Sequence, residues 1–553
     1  MTSTRPLEPG PAVAPSLRKD GGPPFRRVLV ANRGEIAVRI IRACRELGIE
    51  TVAVFSDADR LAAHVRAADQ AVPLGPAPAS DSYLRADLVV GAALRTGAEA
   101  IHPGYGFLSE RASFAEAVET AGLVFVGPSA ASIARVGDKL AARRLAIEAG
   151  VPVVPGTLEP APIARPEDLV AAAAEAERVG YPLLVKTAAG GGGRGMRRID
   201  GPEELPAALE AGAAEAAAAF GDGTVYLEKL IAPARHIEVQ LLGDADATVI
   251  ALGERDCSLQ RRHQKLVEES PAPGLTAAER RALHAMAVHV GEAAGLRNAS
   301  TAEFLFDTER QFWFLEVNTR LQVEHGVTEL VAGVDLVREQ FRLAAGRPFS
   351  AAALAAARRA DEPDRHAIEV RISAEDPIRA FAPEPGTIGR WRMPSGPGIR
   401  VDTAAEAGEW VPPDYDPLIA KLLVVDADRD AAIDRLGRAL GEIEVTGIQT
   451  TLPFHLFVAR HAGFRAAELS TAWVDEEWEP IASVERARAL AIASRAAVAA
   501  ATGRVAPAAG PGEPGGPAGR KAPAGGSTLE SRSRRAAGWR EAARAEAVDR
   551  WPR

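Results

Sequence analysis

The chain has 553 residues, a formal net charge of −9 and 25% charged residues. This length predicts about three domains. The negative net charge excludes the sequence-wide basic field that attracts nucleic acid or anionic lipid, so we expect neither as a partner. The sequence contains two cysteines, Cys44 and Cys257. Their small number and wide separation argue against a disulfide framework and favour a reducing cytoplasm.

The start of the sequence carries no recognisable secretory signal. Residues 1–24 are rich in proline and lack the apolar segment of a signal peptide. No run of residues in the sequence is long and apolar enough to span a bilayer. We therefore expect a disordered N-terminal extension and no membrane partner.

The first part of the chain alternates between predicted strands and helices. Apolar runs predict strands over 25–31, 51–55, 100–106 and 123–128, and helical spacing predicts a helix over 36–47. This alternation is typical of a parallel α/β sheet. Ligands collect at the carboxyl ends of such strands, so the segment 102–110 is a candidate site edge. A structural glycine-rich turn explains that segment equally well.

A glycine-rich segment follows a predicted strand that ends at Lys186. Gly190, Gly192 and Gly195 match the pattern G-x-G-x-x-G, but a dinucleotide-binding loop requires a helix directly after the glycines. Residues 196–199 read instead as a strand, and the sequence contains no P-loop pattern. The remaining interpretation is a hairpin whose backbone N–H groups close over phosphates. A merely mobile hairpin is the alternative.

Lysine is scarce in this sequence. Only seven of its 65 Lys and Arg residues are lysines. A sequence that uses arginine for general positive charge is expected to keep lysine where a compact ammonium group is needed. Two of the seven, Lys19 and Lys521, lie in the predicted tails. Lys186 and Lys265 lie in polar segments of interest. Chance placement is the alternative interpretation.

The segment 316–325 has the most informative pattern. Read as an extended strand, it places polar side chains on one face and apolar side chains on the other. Carboxylate and amide oxygens suit Mg²⁺ that also binds phosphate, an arginine can hold a small planar anion, and a second carboxylate can accept a proton. An ordinary amphipathic strand with a solvated face is the alternative. The polar face comprises Glu316, Asn318, Arg320, Gln322 and Glu324.

Three other segments carry charged residues among predicted strands. Residues 254–265 concentrate polar groups, for which a solvated charge run is the ordinary interpretation. Glu303 lies in an otherwise apolar strand, where a carboxylate is costly unless it is paired or bound to metal. Alternation over 366–372 places Glu369 and Arg371 on the face opposite buried aliphatic residues.

Five segments together resemble biotin carboxylase, the ATP-grasp subunit of biotin-dependent carboxylases such as acetyl-CoA and propionyl-CoA carboxylase. The similarity covers about residues 25–478, in the family's order and approximate spacing. Jointly the segments are highly specific, although each alone would be weak. They are 30–37 (VANRGEIA), 102–110 (HPGYGFLSE), 190–196 (GGGGRGM), 254–265 (ERDCSLQRRHQK) and 316–325 (EVNTRLQVEH).

The resemblance implies an α/β and α+β multidomain fold. Its parts would be a Rossmann-like pre-ATP-grasp domain, an ATP-grasp domain with a glycine-rich lid, and a C-terminal biotin carboxylase domain. A helix and a Pro-, Gly- and Ala-rich stretch, expected to be disordered, would follow. The expected boundaries are 1–24 for the extension, 25–138, 139–345 and 346–478 for the domains, about 152–231 for the lid, 479–553 for the last part and 483–501 for its helix.

The resemblance also implies roles for the matching positions. Contacts to nucleotide phosphates would fall on Lys139, Lys186 and the lid glycines Gly190, Gly191, Gly192 and Gly193. The rest of the nucleotide-binding set would be Glu228, Lys229, Leu230, Ile231, His236, Gln260, His263 and Leu305. The divalent-metal ligands would be Glu303, Glu316 and Asn318. The bicarbonate site would comprise Lys265, Arg320, Gln322 and Val323, with Glu324 as the base and Arg371 beside the biotin ureido oxygen.

The sequence departs from the family at two places. Gly326 stands where the family usually has proline, and Ala188 and Ala189 replace a more typical Ser-Gly start of the lid. Neither departure removes a charged group. The complete set of charged groups argues against a catalytically silent regulatory protein.

The implied activity is ATP-dependent carboxylation of biotin by bicarbonate through carboxyphosphate, with Mg²⁺ or Mn²⁺. It would be the first half-reaction of an acyl-CoA carboxylase, and a urea- or pyruvate-type carboxylase component is the alternative. The implied partners are a biotin carboxyl carrier protein, carboxyltransferase subunits and a second copy of this chain. Biotinyl domains carry the tetrapeptide Ala-Met-Lys-Met, which this sequence lacks. We therefore expect biotin on a separate chain.

Overall fold

The structure is a computed structural model that describes residues 22–161, 166–188 and 196–480. The predicted lid glycines, nearly all of the predicted N-terminal extension, and the helix and tail predicted after residue 480 lie outside these residues. The described residues up to Trp478 belong to one compact unit. Within the described residues, every helix is too short or too polar to cross a membrane.

A five-stranded parallel sheet forms the first part of the chain, as the alternation of strands and helices predicts. Its elements are β1 (Arg27–Val30), α1 (Gly34–Glu46), β2 (Glu50–Ser56), α2 (Ala63–Ala67), β3 (Gln70–Gly75), α3 (Ala86–Thr96), β4 (Ala100–His102), α4 (Ala112–Thr120), β5 (Val124–Phe125) and α5 (Ala130–Gly137). The strand order is β3-β2-β1-β4-β5. The central β1 buries Val28, Leu29 and Val30 completely, as expected for a parallel strand covered on both faces.

A small three-stranded antiparallel sheet follows, in the order β7-β6-β8. This part contains α6 (Lys139–Glu148), α7 (Pro166–Val179), β6 (Leu183–Thr187), β7 (Arg197–Ile199), α8 (Leu205–Phe220) and β8 (Val225–Lys229). The strand predicted after the glycines is confirmed by β7, which supports the rejection of a dinucleotide-binding loop. The Asp138 side chain caps α6 by accepting a hydrogen bond from the backbone N–H of Ala141 at 2.9 Å, which places Lys139 at the first helical residue.

An eight-stranded antiparallel sheet forms the centre of the molecule. Its first half comprises β9 (Ala234–Gly243), β10 (Val249–Arg261), β11 (Gln264–Ser270), α9 (Ala277–Ala293), β12 (Asn298–Asp307), β13 (Phe312–Asn318), α10 (His325–Ala332), α11 (Leu336–Ala344) and α12 (Ala351–Arg359). The helix α9 begins with a capping box, in which Thr276 and Glu279 each bind the other's backbone N–H. These strands lie in the order β13-β12-β9-β10-β11.

The last described part of the chain extends the same sheet by β14, β21 and β19, so that the sheet continues through the boundary expected at residue 345. Its elements are β14 (His366–Ser373), β15 (Glu375–Asp376), β16 (Ala382–Pro383), β17 (Gly386–Thr387), β18 (Trp391–Arg392), β19 (Ile399–Thr403), β20 (Trp410–Val411), β21 (Leu418–Asp426), α13 (Arg429–Glu442), β22 (Glu444–Val445), α14 (Leu452–Val458), α15 (Ala462–Arg465) and α16 (Trp473–Glu477). This part combines short strands with α13 and three shorter helices.

The polar segment 254–265 is a hairpin whose first arm, 254–260, is buried and whose tip, 262–264, is exposed, so most of it is not a solvated charge run. It forms the end of β10 and the start of β11, and Glu254, Arg255 and Gln260 are all buried. Burial of this many polar groups requires partners in the fold. Those partners come from neighbouring strands and helices, and they build much of the site.

The single strand predicted over 316–325 is wrong. The strand β13 ends at Asn318, the chain turns, and α10 begins at His325 with Glu324 at its N-cap position. The turn places Leu321, which is fully buried, in the apolar cluster around the first sheet and α11. The alternation of polar and apolar residues did not mark the end of the strand, because the polar residues Asn318, Gln322 and Glu324 are buried as well.

Candidate active site

Lys265 lies at the centre of a buried group of carboxylates at the start of β11. Its ammonium group donates hydrogen bonds to Glu238, to Glu303 at 3.0 Å and to Glu324 at 2.7 Å. The carboxylate of Glu238 also binds the fully buried guanidinium of Arg255. The strands β9, β10, β11 and β12 therefore point charged groups to one place, where each charge has an opposite charge as a neighbour.

Glu324 is held between two cations. Its second carboxylate oxygen accepts a hydrogen bond from Arg371 at 2.9 Å, and its side chain is fully buried. Burial opposes ionisation of this carboxyl, but the charges of Lys265, Arg371 and Arg255 outweigh that effect and hold the pKa of Glu324 well below its usual range. At neutral pH the group is therefore a carboxylate, which is the form that can accept a proton.

Arg320 and Gln322 lie beside these groups in the turn after β13. Arg320 pairs with Glu110 at 2.9 Å and donates hydrogen bonds to Gln322 at 2.9 Å and to Asn318 at 3.2 Å. The amide nitrogen of Gln322 is buried and has no hydrogen-bond partner among the described residues. The ion pair with Glu110 shows that the candidate site edge 102–110 does reach the site. An unpaired buried N–H donor next to an arginine fork is suited to a small oxyanion.

The three expected metal ligands lie together on β12 and β13. Glu303 and Glu316 are direct partners in the register of these strands, and the Asn318 amide donates a hydrogen bond to Glu303 at 2.8 Å. Glu303 also lies 2.9 Å from His236, and Glu316 lies 3.0 Å from Lys139. The two carboxylates present the hard oxygens that Mg²⁺ and Mn²⁺ prefer, so the residues fit such an ion. Glu238 and His236 form a second candidate ligand set with Glu303.

Lys186 and Glu228 form the rear of the expected nucleotide pocket. Lys186 donates a hydrogen bond to Glu228 at 2.6 Å, and the buried Arg143 binds the other oxygen of the same carboxylate, also at 2.6 Å. The side chain of Lys229 binds the backbone carbonyls of Gly180 and Tyr181 at 2.8 and 2.6 Å. The side chains of Glu228 and Lys229 are therefore both bound within the protein. This leaves the backbone of residues 228–231 for a ligand.

The remaining expected residues line the same region. Gln260 is buried on β10, opposite Lys265, and Leu305 on β12 pairs with His236. His263 is exposed at the tip of the β10–β11 hairpin, where its backbone has a φ of 64°. The carbonyl of Val323 accepts a hydrogen bond from Lys421 at 2.6 Å. Leu230 and Ile231 follow β8 directly and are half-buried.

Several residues at the site were absent from the expected set. The alternation of polar and apolar residues around His236 places Glu238 on the same strand face, so the sequence contained a signal for Glu238. The sequence indicated Glu110 only as the last residue of the candidate site edge. No sequence signal indicated Arg143 or Glu268, because each acquires its role from a partner far along the chain. Arg143 lies 85 positions from Glu228, and Glu268 lies 103 positions from Arg371, to which it binds at 2.6 Å.

Three family descriptions match the chain in succession. They are "Biotin carboxylase, N-terminal domain" over residues 24–133, "Carbamoyl-phosphate synthase L chain, ATP binding domain" over 138–352, and "Biotin carboxylase C-terminal domain" over 369–476. Together with the antiparallel sheet and its lysine and carboxylate groups, they define an ATP-dependent ligase of the ATP-grasp type.

Individual relatives agree with this class. The biotin carboxylase of Pseudomonas aeruginosa is 49% identical over 441 residues, which are 80% of this chain and 96% of that protein. A pyruvate carboxylase component of Methanothermobacter thermautotrophicus is 47% identical over 456 residues, which are 82% of this chain and 90% of that protein. The chain belongs to the biotin carboxylase family, and the resemblance found in its sequence is confirmed.

A solved structure agrees in fold. The biotin carboxylase domain dimer of Hydrogenobacter thermophilus 2-oxoglutarate carboxylase was crystallised with MgADP, ADP and bicarbonate. It matches with a TM-score of 0.77 and 44% identity, over 82% of this chain and 97% of that domain. The predicted organisation, with a Rossmann-like N-terminal domain, an ATP-grasp domain and a C-terminal biotin carboxylase domain, is confirmed.

Proposed function

We propose that this chain carboxylates biotin on a separate carrier protein, with bicarbonate as the carbon source and ATP as the phosphoryl donor. The reaction would be the first half-reaction of an acyl-CoA carboxylase. One observation carries the proposal: Glu324 lies buried between Lys265 and Arg371, at 2.7 and 2.9 Å. A carboxylate held between two cations is suited to an anionic substrate that must lose a proton.

Arg320 and Gln322 would hold the bicarbonate anion. The guanidinium fork of Arg320 can bind two oxygens of a planar anion, and the free amide N–H of Gln322 can donate to another. The bound anion would add negative charge beside Glu324, which raises the pKa of that carboxyl and makes it a stronger base. The proton of bicarbonate would then pass to Glu324.

The deprotonated bicarbonate would attack the γ-phosphorus of ATP. The new bond joins a bicarbonate oxygen to phosphorus, the bond from phosphorus to the β,γ-bridging oxygen breaks, and carboxyphosphate and ADP result. Lys139, Lys186 and Lys265 would neutralise the phosphoryl oxygens, since this chemistry depends on positioning and charge. When bound, Mg²⁺ or Mn²⁺ held by Glu303 and Glu316 would supply further positive charge there.

Biotin would then receive the carboxyl group. Carboxyphosphate breaks down to CO₂ and phosphate, the phosphate takes the proton from N1′ of biotin, and N1′ attacks CO₂. Arg371 would stabilise the negative charge that develops on the ureido oxygen. Arg371 binds Glu268 and Glu324 through Nε and Nη2, which leaves Nη1 to donate to the ureido oxygen.

The glycine lid, within about 152–231, would close over ATP and exclude water from carboxyphosphate. We further propose the domain limits 25–138, 139–345 and 346–478, a carrier protein and carboxyltransferase as partners, and a homodimer as the assembly. The acyl-CoA assignment needs a test of its own, because a relative of similar identity is named for pyruvate carboxylase.

The deciding experiment measures ADP formation by the full chain with bicarbonate and free biotin each omitted in turn. We expect ADP formation to require bicarbonate and to increase when biotin is added. ADP formation that is indifferent to both would refute the proposal. Label from radioactive bicarbonate, transferred from a carboxylated carrier to acetyl-CoA, propionyl-CoA or pyruvate by the native carboxyltransferase, would then identify the acceptor.

A further inference from the structure

Glu369 is a buried carboxyl for which the proposed reaction has no use. It lies on β14, two residues before Arg371, and its side chain is completely buried. Neither of its carboxyl oxygens has a hydrogen-bond partner among the described residues. An ionised carboxylate in this position would be strongly unfavourable, because no donor replaces the water that it loses.

The groups around Glu369 come from every element that packs against it. A Cβ placed on Gly326 would lie 3.3 Å from a Glu369 oxygen, so the first turn of α10 lies directly against the carboxyl. The titratable and charged groups that face it are Glu268 on β11, Arg371 on β14, Lys421 on β21, Glu324 at the start of α10 and Tyr105 after β4. Glu369 therefore lies near two cations, Arg371 and Lys421, which are direct partners in the register of β14 and β21.

Glu268 is the direct cross-strand partner of Glu369. One Glu268 oxygen binds Arg371 at 2.6 Å, and the other has no partner among the described residues. Directly opposed antiparallel residues have Cβ atoms about 4.5–5.5 Å apart, a separation that two glutamates can bridge with one O–H···O bond. That bond requires a single proton on the pair, and it would satisfy an unpaired oxygen of each residue.

Electrostatics favours the same state. Burial raises the pKa of Glu369 well above its usual range, and the charge of Glu268 adds to this effect against the opposing charge of Lys421. Burial raises the pKa of Glu268 to about 7, although Arg371 opposes the shift. Two buried carboxyls on directly paired residues do not both ionise readily, so we expect the pair to keep one proton at neutral pH.

We propose that Glu369 and Glu268 share one proton and that this pair positions Arg371 for the ureido oxygen of biotin. The inference rests on the proposed biotin carboxylation. With the proton on Glu369, the anion is Glu268, and it holds Arg371. When the proton moves to Glu268, the O–H bond of Glu369 breaks and a new one forms on Glu268. The negative charge then leaves the carboxylate that binds Arg371 and moves to Glu369, on which Lys421 is the strongest opposing charge.

This shift weakens the ion pair of Arg371 with Glu268 without adding or removing a proton, while the contact of Arg371 with Glu324 at 2.9 Å remains. The guanidinium can then follow the negative charge that develops on the ureido oxygen, and the proton returns to Glu369 when carboxybiotin leaves. Lys421, which already pairs with Glu35 at 3.4 Å and with Asp402 at 3.8 Å, attracts the relocated charge on Glu369. Glu369 and Glu268 are thus positioning residues, since they act through Arg371.

Infrared spectroscopy of the full chain, without biotin or ATP, tests the shared proton. We expect a protonated-carboxyl C=O band at neutral pH that disappears in Glu369→Gln and shifts in Glu268→Gln. The matched control is Glu269→Gln, which alters a buried glutamate on the same strand that binds His366 and Arg429. This control should keep the band unchanged. A band that is missing from the wild type, or that persists unchanged in Glu369→Gln, would overturn the proposal.

Kinetics tests the positioning role. Glutamine at 369 can still donate a hydrogen bond to Glu268 but has no proton to transfer. We expect kcat for biotin carboxylation to fall about tenfold or more and its pH profile to change, with a smaller change in the KM for bicarbonate. A wild-type kcat and pH profile in Glu369→Gln, or the same changes in Glu269→Gln, would overturn the role. If the wild-type chain does not carboxylate biotin, the proposed function and the positioning role both fall, whereas the infrared result still decides the shared proton.

Discussion

Replacement of Glu324 by glutamine should separate catalysis from stability. Lys265 keeps Glu238 and Glu303 as partners, and Arg371 keeps Glu268 at 2.6 Å. Lys265 and Arg371 each keep a carboxylate partner, so the cost of about 3–5 kcal/mol for a buried charge without a partner does not apply. We expect about 1–2 kcal/mol from weakened charge-assisted hydrogen bonds. Loss of the proton acceptor should lower activity by about 10²-fold or more, equivalent to about 2.7 kcal/mol of barrier.

The assay for Glu324→Gln combines kcat/KM for bicarbonate, from coupled ADP formation with biotin, with urea unfolding of the same preparation. Glu254→Gln is the matched control, because its buried carboxylate binds Arg280 and His284 at 2.7 and 2.9 Å. The control should lose stability and keep its kcat/KM. A kcat/KM of Glu324→Gln close to the wild-type value would refute the role of Glu324 as the base.

Four further results are expected. Glu316→Gln should raise the Mg²⁺ concentration needed for half-maximal ATP use about tenfold, and an unchanged Mg²⁺ titration would contradict its role as a ligand. Arg320→Lys should lose the bidentate contact with bicarbonate, and its kcat/KM should fall about 10²-fold. A normal KM for bicarbonate would argue against that contact. Burial opposes protonation of His284, but the charges of Glu254 and Asp361 outweigh it and raise the pKa of His284 above 6.5. The stabilisation from this group is therefore complete below about pH 6.5 and is lost as pH rises through the raised pKa. His284→Gln should flatten the plot of unfolding free energy against pH in that window, and an unaltered slope would exclude the effect. Intact mass after expression with an active biotin ligase should show no biotin adduct on this chain, and an adduct would disprove the expectation of a separate carrier.

The scarcity of lysine proved informative at the level of individual residues. Lys139, Lys186 and Lys265 each pair with a carboxylate at the site, Lys229 binds two backbone carbonyls, and Lys421 is fully buried against a backbone carbonyl. An ammonium group suits such places because it is compact and can donate in three directions. Composition alone thus indicated that the lysines outside the tails have specific partners.

The order of strands and helices was also readable from the sequence, because burial of one face leaves a period in the chain. The alternation over 366–372 correctly placed Glu369 and Arg371 on one side of β14. It could not show that both would be covered by α10 and by the cross-strand neighbour Glu268. Periodicity records only whether a face is apolar, and here the polar face is also interior.

Tertiary structure alone decided which charges meet. Glu324 reaches Lys265 and Arg371 across 59 and 47 positions, and Arg143 reaches Glu228 across 85. It also decided that the segment after Asn318 leaves the sheet, because Leu321 is buried with residues of the first sheet and α11. These outcomes depend on strand register and on contacts between distant segments. A local pattern carries no information about either, since the energy of a buried charge is set by the partner that the fold brings to it.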